Sequence, residues 1–436
     1  MLHSLTPFVL SVAALVQGPD PLGHLVAEAL RNNLGFATER LAERRRAAEV
    51  SEARGLFFPS VTLESRYSEQ DGTLNLGDLL NPVYARLDFP MRVDATLPLV
   101  HESRVRVTQP VFNEAIRHNY RLAGQRHAAQ RHHRLAAARR LAAQVQIAYV
   151  SLAAARNAAA VYESSLALVS ENERVAERLL AAGRATPDAV FRARAERSDV
   201  AQRLADAREQ VDAAARALNQ ILGRPLDTPV EAIPDTALHF ELAIGADRAV
   251  ANALARREEL AELDAGIGAA DAAVGLATAA FLPSVALAAD YGFQGQDVRF
   301  DRNNDFWVAS VVASWNLFNG GRDAARRQGA RAEAERARVA RRDLEERIRL
   351  DVRQTYEATV VARAAIATAE DRVAAARRSF ELVRRRYDEG VATQIEFLDA
   401  RTQLTGAELN RVLTVHRYAI RYLELERAAA LRILTP

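Results

Sequence analysis

Cysteine is absent from the 436 residues, which excludes disulfides, thiolate metal sites, a cysteine nucleophile and lipid attachment through an N-terminal cysteine. Lysine is absent too, so all 58 basic residues are arginine. Against 56 carboxylates they leave a net charge of +2. A chain so balanced does not read as a general nucleic-acid binder, which shows a basic excess on one face. No segment approaches the ~20 unbroken apolar residues of a membrane-crossing helix. There is no phosphate-binding glycine loop, no metal-ligand spacing and no serine in a G-x-S-x-G context, so neither an enzyme nor a cofactor is expected. Proline and glycine are scarce over long stretches: from Glu114 to Ala182 there is no proline, and Gly124 is the single glycine.

What is present begins with "MLHSLTPFVLSVAALVQG", residues 1–18, whose apolar core runs from Leu5 to Val16. This suits the apolar region of an export signal, although only His3 stands where a basic start is usual. A buried amphipathic start is the alternative.

The chain then repeats itself. "VAEALRNNL" (26–34) and "VANALARRE" (250–258) share a 224-residue offset with "FFPSVTLESRY" (57–67) and "FLPSVALAADY" (281–291). "TQPVFNEAIR" (108–117) resembles "SWNLFNGGR" (314–322), and "LLAAGRATPDAVFRA" (179–193) resembles "RYDEGVATQIEFLDA" (386–400). Each half reads helix, strand, loop, strand, very long helix, glycine turn, long helix. The boundaries are 22–222 for the first repeat, 223–248 for a linker and 249–436 for the second, with the Pro-rich "LGRPLDTPVEAIPD" (222–235) at the joint. The long helices, about 100 Å each at 1.5 Å per residue, exceed any globular core and need lateral partners. The last one carries a heptad seam: Val391, Ile395, Leu398, Thr402, Thr405, Leu409, Val412, His416, Ala419 and Leu423.

The strands, in hairpins at 60–112 and 284–318, alternate apolar and polar residues. Val61, Leu63, Ser65 and Tyr67 share one face; so do Val285, Leu287, Ala289, Tyr291 and Phe293, and so do Trp307, Ala309, Val311, Ala313, Trp315 and Leu317. The strand at 104–111 is less clean. Alternation over about ten residues marks a membrane barrel strand, and a soluble sandwich strand shares the pattern. Two features favour the barrel. Trp307 and Trp315, the only tryptophans, lie eight residues apart on one face, which suits the ~25 Å between aromatic girdles. Four strands cannot close a barrel, and lipid tolerates no open edge, so several chains must share one. The proline in "FFPS" and "FLPS" ends the helix and hands the chain to the strand.

From residue 22 to residue 433 the chain resembles the TolC family of outer-membrane efflux proteins, through the doubled "PS" joint, "WNLFNGGR" and "YDEGVATQIEFLDA". The resemblance implies a mainly α-helical, internally duplicated chain that gives four transmembrane strands to a twelve-strand barrel shared by a homotrimer, continued by an α-helical coiled-coil tunnel. It implies an exit duct of a tripartite efflux pump or type I secretion system. The duct would sit in the outer-membrane lipid, extend into the periplasm and dock on a periplasmic adaptor and an inner-membrane pump. A periplasmic coiled-coil adaptor without a channel is the competing reading. The resemblance also assigns positions. Glu396 and Asp399 match acidic rings at the closed aperture, and Tyr387 matches a residue that hydrogen-bonds across the closed tip. Gly183, Thr186, Asp188, Gly390 and Thr393 fall at the tip where adaptors engage. Ala392 stands where a basic residue is common, and Ala189 occupies the first repeat's acidic position. From the strand faces, Trp307, Trp315, Tyr67 and Tyr291 are expected to form the membrane girdle.

Two further signals stand apart. His127, His132 and His133 are spaced by five and six residues, which does not set two metal ligands on one helix face, so no metal is expected. Between Ala115 and Tyr162 there are eight arginines and no acid, a pattern that points to pairing with acidic helices of a neighbouring protomer. Alternatively, some of these arginines line the tunnel and favour anionic solutes.

Overall fold

The computed structural model describes residues 22–68, 86, 101–232, 240–295 and 297–432. The expected export signal, most of the first strand–strand loop and part of the linker lie outside them. Chain order is α1 (Gly23–Asn32), α2 (Leu34–Gly55), β1 (Ser60–Tyr67), β2 (His101–Phe112), α3 (Glu114–Ala181) and α4 (Pro187–Leu222). It continues as α5 (Ala246–Arg256), α6 (Glu258–Ala279), β3 (Ser284–Gly295), β4 (Asp305–Ser314), α7 (Arg322–Asp388) and α8 (Gln394–Ala428). The second half therefore repeats the first, element by element.

Each single leading helix expected from the sequence is in fact two. Asn33 breaks the first (φ −63°, ψ 122°) and Arg257 the second (φ −68°, ψ 125°), at the same 224-residue offset. No proline marks either break; side chains hold them. Asn33 accepts from the Phe36 amide through Oδ1 and donates through Nδ2 to the Ile221 carbonyl, both at 2.9 Å. Arg257 donates to Glu259 (3.0 Å) and to Asp351 (3.1 Å).

The described residues form two compact units, within the bounds Ala42–Arg131 with Ala261–Arg342, and Met1–Leu41 with His132–Leu260 and Asp343–Pro436. Their boundaries fall inside α2, α3, α6 and α7. The first holds one antiparallel sheet of order β1-β2-β3-β4. At both joints the helix ends in a turn, the Phe57 amide bonding to the Arg54 carbonyl and that of Phe281 to the Thr278 carbonyl. The proline then follows and the strand begins at Ser60 or Ser284. The sequence reading carried the last strand to Leu317, but β4 ends at Ser314, where pairing with Ser284 at the start of β3 runs out. Trp315 thus lies just past the ladder.

In the other unit each repeat builds its own core. Leu25, Ala29, Leu141, Val145, Leu218 and Leu222 pack α1 against α3 and α4. Val250, Ala253, Ile348, Val352 and Leu425 pack α5 against α7 and α8. Val150, Ala419 and Leu423 join the two halves. The expected seam on α8 is buried at Val412, His416, Ala419 and Leu423 but not near the helix start, where Val391 is 64% and Ile395 60% exposed. There the chain buries Phe397, Ala400 and Arg401 instead. Phe397 against Phe380 covers more apolar area than the isoleucine could, so this face turns inward and the heptad face is left for another surface.

Glu426, in the last turn of α8, borders a cavity of about 10 Å³ together with Arg139, Gln146 and Arg432. Arg139 is already committed to Glu258 (2.7 and 2.9 Å) and to the Arg432 carbonyl (2.7 Å). Burial therefore dominates, and the Glu426 carboxyl is pushed up from 4.5 to about 7. A carboxyl raised in the folded state binds protons that the unfolded chain has released, so stability falls as pH rises from about 4.5 to about 7 and is level above. Glu426→Gln is expected to abolish that decline and to stabilise the protein above pH 7 by up to about 3 kcal/mol. Denaturation midpoints of both proteins across this range give the measurement; parallel pH profiles would refute the assignment.

Candidate functional site: helical tip and strand face

Two regions carry the residues singled out by sequence. The first is the tip formed by the turns α3–α4 and α7–α8. Both helices end in left-handed glycines, Gly183 (φ 69°) and Gly390 (φ 77°). The next amide reaches back five residues, Arg184 to the Leu179 carbonyl (2.8 Å) and Val391 to that of Arg386 (2.7 Å). This closes a helix end in a way that a side chain at the glycine would strain. Three residues on, Thr186 and Thr393 adopt the same extended N-cap conformation.

From there the two turns diverge. Thr393 and Glu396 form a reciprocal capping box: the carboxylate accepts from the Thr393 amide at 2.7 Å and hydroxyl at 2.9 Å. These bonds, the backbone one first, lower the Glu396 carboxyl below its usual range and keep it ionised. The T-x-x-E pattern was readable in the sequence as a helix start. The first turn has Ala189 at that position and uses Pro187 at the first helical position, with Asp188 paired to Arg192 at 2.9 Å. The Asp188 carboxyl is lowered by the Thr186 side chain.

The chain brings the two turns together through Gln394, whose amide donates to the Ala189 carbonyl at 3.0 Å. Glu396 and Asp399 are both exposed, and Asp399 accepts from Gln403 at 3.1 Å. Tyr387 stacks on Phe397 at 4.8 Å, and burial raises its phenol. Among the described residues its hydroxyl has no hydrogen-bond partner. Sequence reasoning missed Arg401, only 3% exposed, which donates to Ser165 on α3 and approaches Glu196 on α4 at 3.6 Å. An arginine within a polar helix gives no hydropathy signal of burial.

The second region is the sheet. Its register sets Leu63, Val105, Tyr291 and Trp307 in one row and Val61, Val107, Ala289 and Ala309 in the next. This face is open: Leu63 is 77%, Trp307 76% and Val311 71% exposed. The girdle candidates Tyr67, Tyr291 and Trp315 are exposed as well, and the Trp315 indole donates to the Phe281 carbonyl at 3.0 Å. The opposite face carries ion pairs, Arg104 with Glu64 (2.7 Å) and Glu102 (3.0 Å), and Arg106 with Asp290 (2.8 Å). Among the described residues, β1 and β4 pair on one side only.

The arginine-rich stretch finds partners inside its own chain. Arg117 pairs with Glu114 (2.5 Å), Arg139 with Glu258, and Arg156 donates to the Val230 carbonyl (2.7 Å). For these three the partners within the chain are distant in sequence or one helical turn away. His133 lies 3.7 Å from Glu39, and no cluster of three metal-ligating side chains occurs among the described residues.

Residues 25–224 and 249–431 match the outer membrane efflux protein family. The outer membrane efflux protein BepC of Brucella suis biovar 1 is 26% identical over 275 residues, 63% of this chain and 59% of BepC. The matched part thus spans less than two thirds of that relative. Among solved structures, the CmeC outer membrane channel of Campylobacter jejuni aligns with a TM-score of 0.79 at 16% identity, over 94% of this chain and 85% of CmeC. The outer membrane protein VceC of Vibrio cholerae aligns with a TM-score of 0.75 at 21% identity, over 94% and 95%. At such identities the likeness is one of fold, and it takes in helices and strands alike. The chain belongs to the outer membrane efflux protein family and is an outer-membrane protein.

Proposed function

We propose that three copies of this chain form an exit duct for substrates expelled by an inner-membrane transporter, reached through a periplasmic adaptor. The observation that carries this reading is the sheet, with one hydrocarbon face exposed, one salt-bridged face and, among the described residues, two unpaired edges. Lipid satisfies the first face, but each unpaired backbone group within it costs several kcal/mol. Joining the β1 edge of one chain to the β4 edge of the next removes that cost, and three chains of four strands close a barrel with the ion pairs inside. The exposed heptad position Ile395 in the first turn of α8, with exposed Val391 in the turn before it, supplies an apolar surface for the same neighbours. A coiled-coil adaptor has no use for such a sheet.

In this assembly the α3–α4 and α7–α8 turns form the periplasmic tip. Gly183, Thr186, Asp188, Gly390 and Thr393 present the two turns to the adaptor. Glu396 and Asp399, exposed and one helical turn apart, place six carboxylates around the axis. Their repulsion favours an open mouth or a bound cation, and the Tyr387–Phe397 stack braces the turn. Conduction is passive, without a chemical step.

Two measurements test this. Detergent extracts of the outer-membrane fraction are expected to contain a particle of three chains of 47.9 kDa, about 140 kDa of protein once an export signal is removed. A monomer in the soluble fraction would sink the shared barrel. In planar bilayers, single channels of the Glu396→Gln/Asp399→Asn double variant should lose most of the cation preference of the parent. Unchanged selectivity would remove these residues from the aperture.

A further inference from the structure

The joint between sheet and helices, in the unit built from residues 42–131 and 261–342, carries a chemistry that the duct reading does not use. Phe57 and Phe281 hold equivalent places, just after α2 and α6. Each carbonyl is taken by a side chain from the strand side, Gln109 Nε2 for Phe57 and Trp315 Nε1 for Phe281, both at 3.0 Å. Each ring is then covered from the long helix that follows: Tyr120 meets Phe57 edge-on at 5.9 Å, and the Arg327 guanidinium lies 4.7 Å above Phe281. Trp315 continues the alternation of the exposed sheet face, so the Trp315–Phe281–Arg327 chain leads from the hydrocarbon face to a cation within one cluster.

Around it stands an apolar rim with little cover: Phe58 is 56%, Trp315 60%, Leu317 78% and Phe318 84% exposed. Next to the rim comes a basic collar. Residues 52–58, 112–121 and 314–327 contain Arg54, Arg117, Arg121, Arg322, Arg326 and Arg327 against three carboxylates, Glu52, Glu114 and Asp323. Two of the three are engaged. Glu114 pairs with Arg117 at 2.5 Å and lies 3.6 Å from His118. Asp323 is buried and accepts from Asn316 at 2.9 Å and from Asn319. The chain as a whole is nearly neutral, so the excess at the joint is local.

Exposed aromatic and aliphatic side chains followed at once by guanidinium groups match the depth profile of a bilayer surface, where rings sit at headgroup level and cations meet phosphate. Guanidinium also suits phosphate better than ammonium does, because its fork of donors binds two oxygens at once. Resting on the outer-membrane reading above, we infer that this collar selects anionic phospholipids in the leaflet on the helical side of the sheet, their phosphates held by Arg121, Arg322 and Arg327. The bulk hydrocarbon interaction of a barrel needs no headgroup charge; the collar adds one.

Native mass spectrometry of the detergent-extracted assembly, exchanged against phosphatidylglycerol or phosphatidylcholine at equal concentration, tests the inference. The assembly is expected to retain several-fold more phosphatidylglycerol, with the preference shrinking as salt rises. Arg121→Gln/Arg322→Gln/Arg327→Gln should abolish the preference. Arg121→Gln/Arg322→Gln, which spares the contact of Arg327 with Phe281, should weaken it even if the triple variant does not assemble. Arg347→Gln/Arg349→Gln, away from the joint, should keep it. Equal retention of the two lipids, or a preference that survives in the double variant at the joint, would overturn the collar while leaving the barrel standing. A chain recovered without membrane would overturn both.

Discussion

An open four-stranded sheet with a bare hydrocarbon face cannot be left in water, and the rest of this protein is arranged around that constraint. Leu63, Tyr291, Trp307 and Val311 expose on one face what a soluble sandwich would bury under a second sheet. On the other face Arg104 and Arg106 pair with three carboxylates across three strands. Such a sheet is stable only with lipid on the first side, polar surroundings on the second, and further strands at both edges. Membership of the outer membrane efflux protein family accounts for the lipid; the proposed trimer accounts for the edges.

Duplication then solves the attachment of that sheet to helices twice with the same parts. A helix ends in a phenylalanine turn, proline prevents its continuation, and the strand starts one residue later. The carbonyl freed at the turn is taken by a side chain from the strand side, an amide in one repeat and an indole in the other. The backbone solution is repeated, while the side chains that complete it differ. The tip shows the same division. Both turns use a left-handed glycine and place a threonine at the N-cap position, yet the capping box appears once, because Ala189 stands where Glu396 does in the other repeat. The asymmetry leaves the second turn with the capping carboxylate of Glu396 and the first with a proline-stiffened entry.

Much of this was legible in the order of residues. Period-two alternation, the repeated proline joint, the glycine turns and the long proline-free helices are local signals, since each depends on the conformations open to a few neighbouring residues. The positions proposed for the tip lie beside the glycine turns, and those proposed for the girdle lie on the alternating strands, so both proposals start from those local signals. The breaks at Asn33 and Arg257 were not legible. Neither residue forbids helix; Ile221 on α4 and Asp351 on α7, both remote in sequence, make the break favourable.

The α8 seam separates the two kinds of information. A heptad pattern states that an apolar face needs a partner, and it was present from Val391 to Leu423. Which face turns to which neighbour depends on competing surfaces, and Phe397 against Phe380 and Tyr387 displaced the expected face at the helix start. The buried placement of Arg401 beside Ser165 and Glu196, and of Glu426 beside an arginine already engaged, has the same origin. The sequence alone determined the elements, their duplication and the amphipathic strands, because those rest on short-range sterics and periodicity. Tertiary structure alone decided which polar groups are enclosed and which apolar faces stay open, because desolvation and pairing depend on residues brought together from distant parts of the chain.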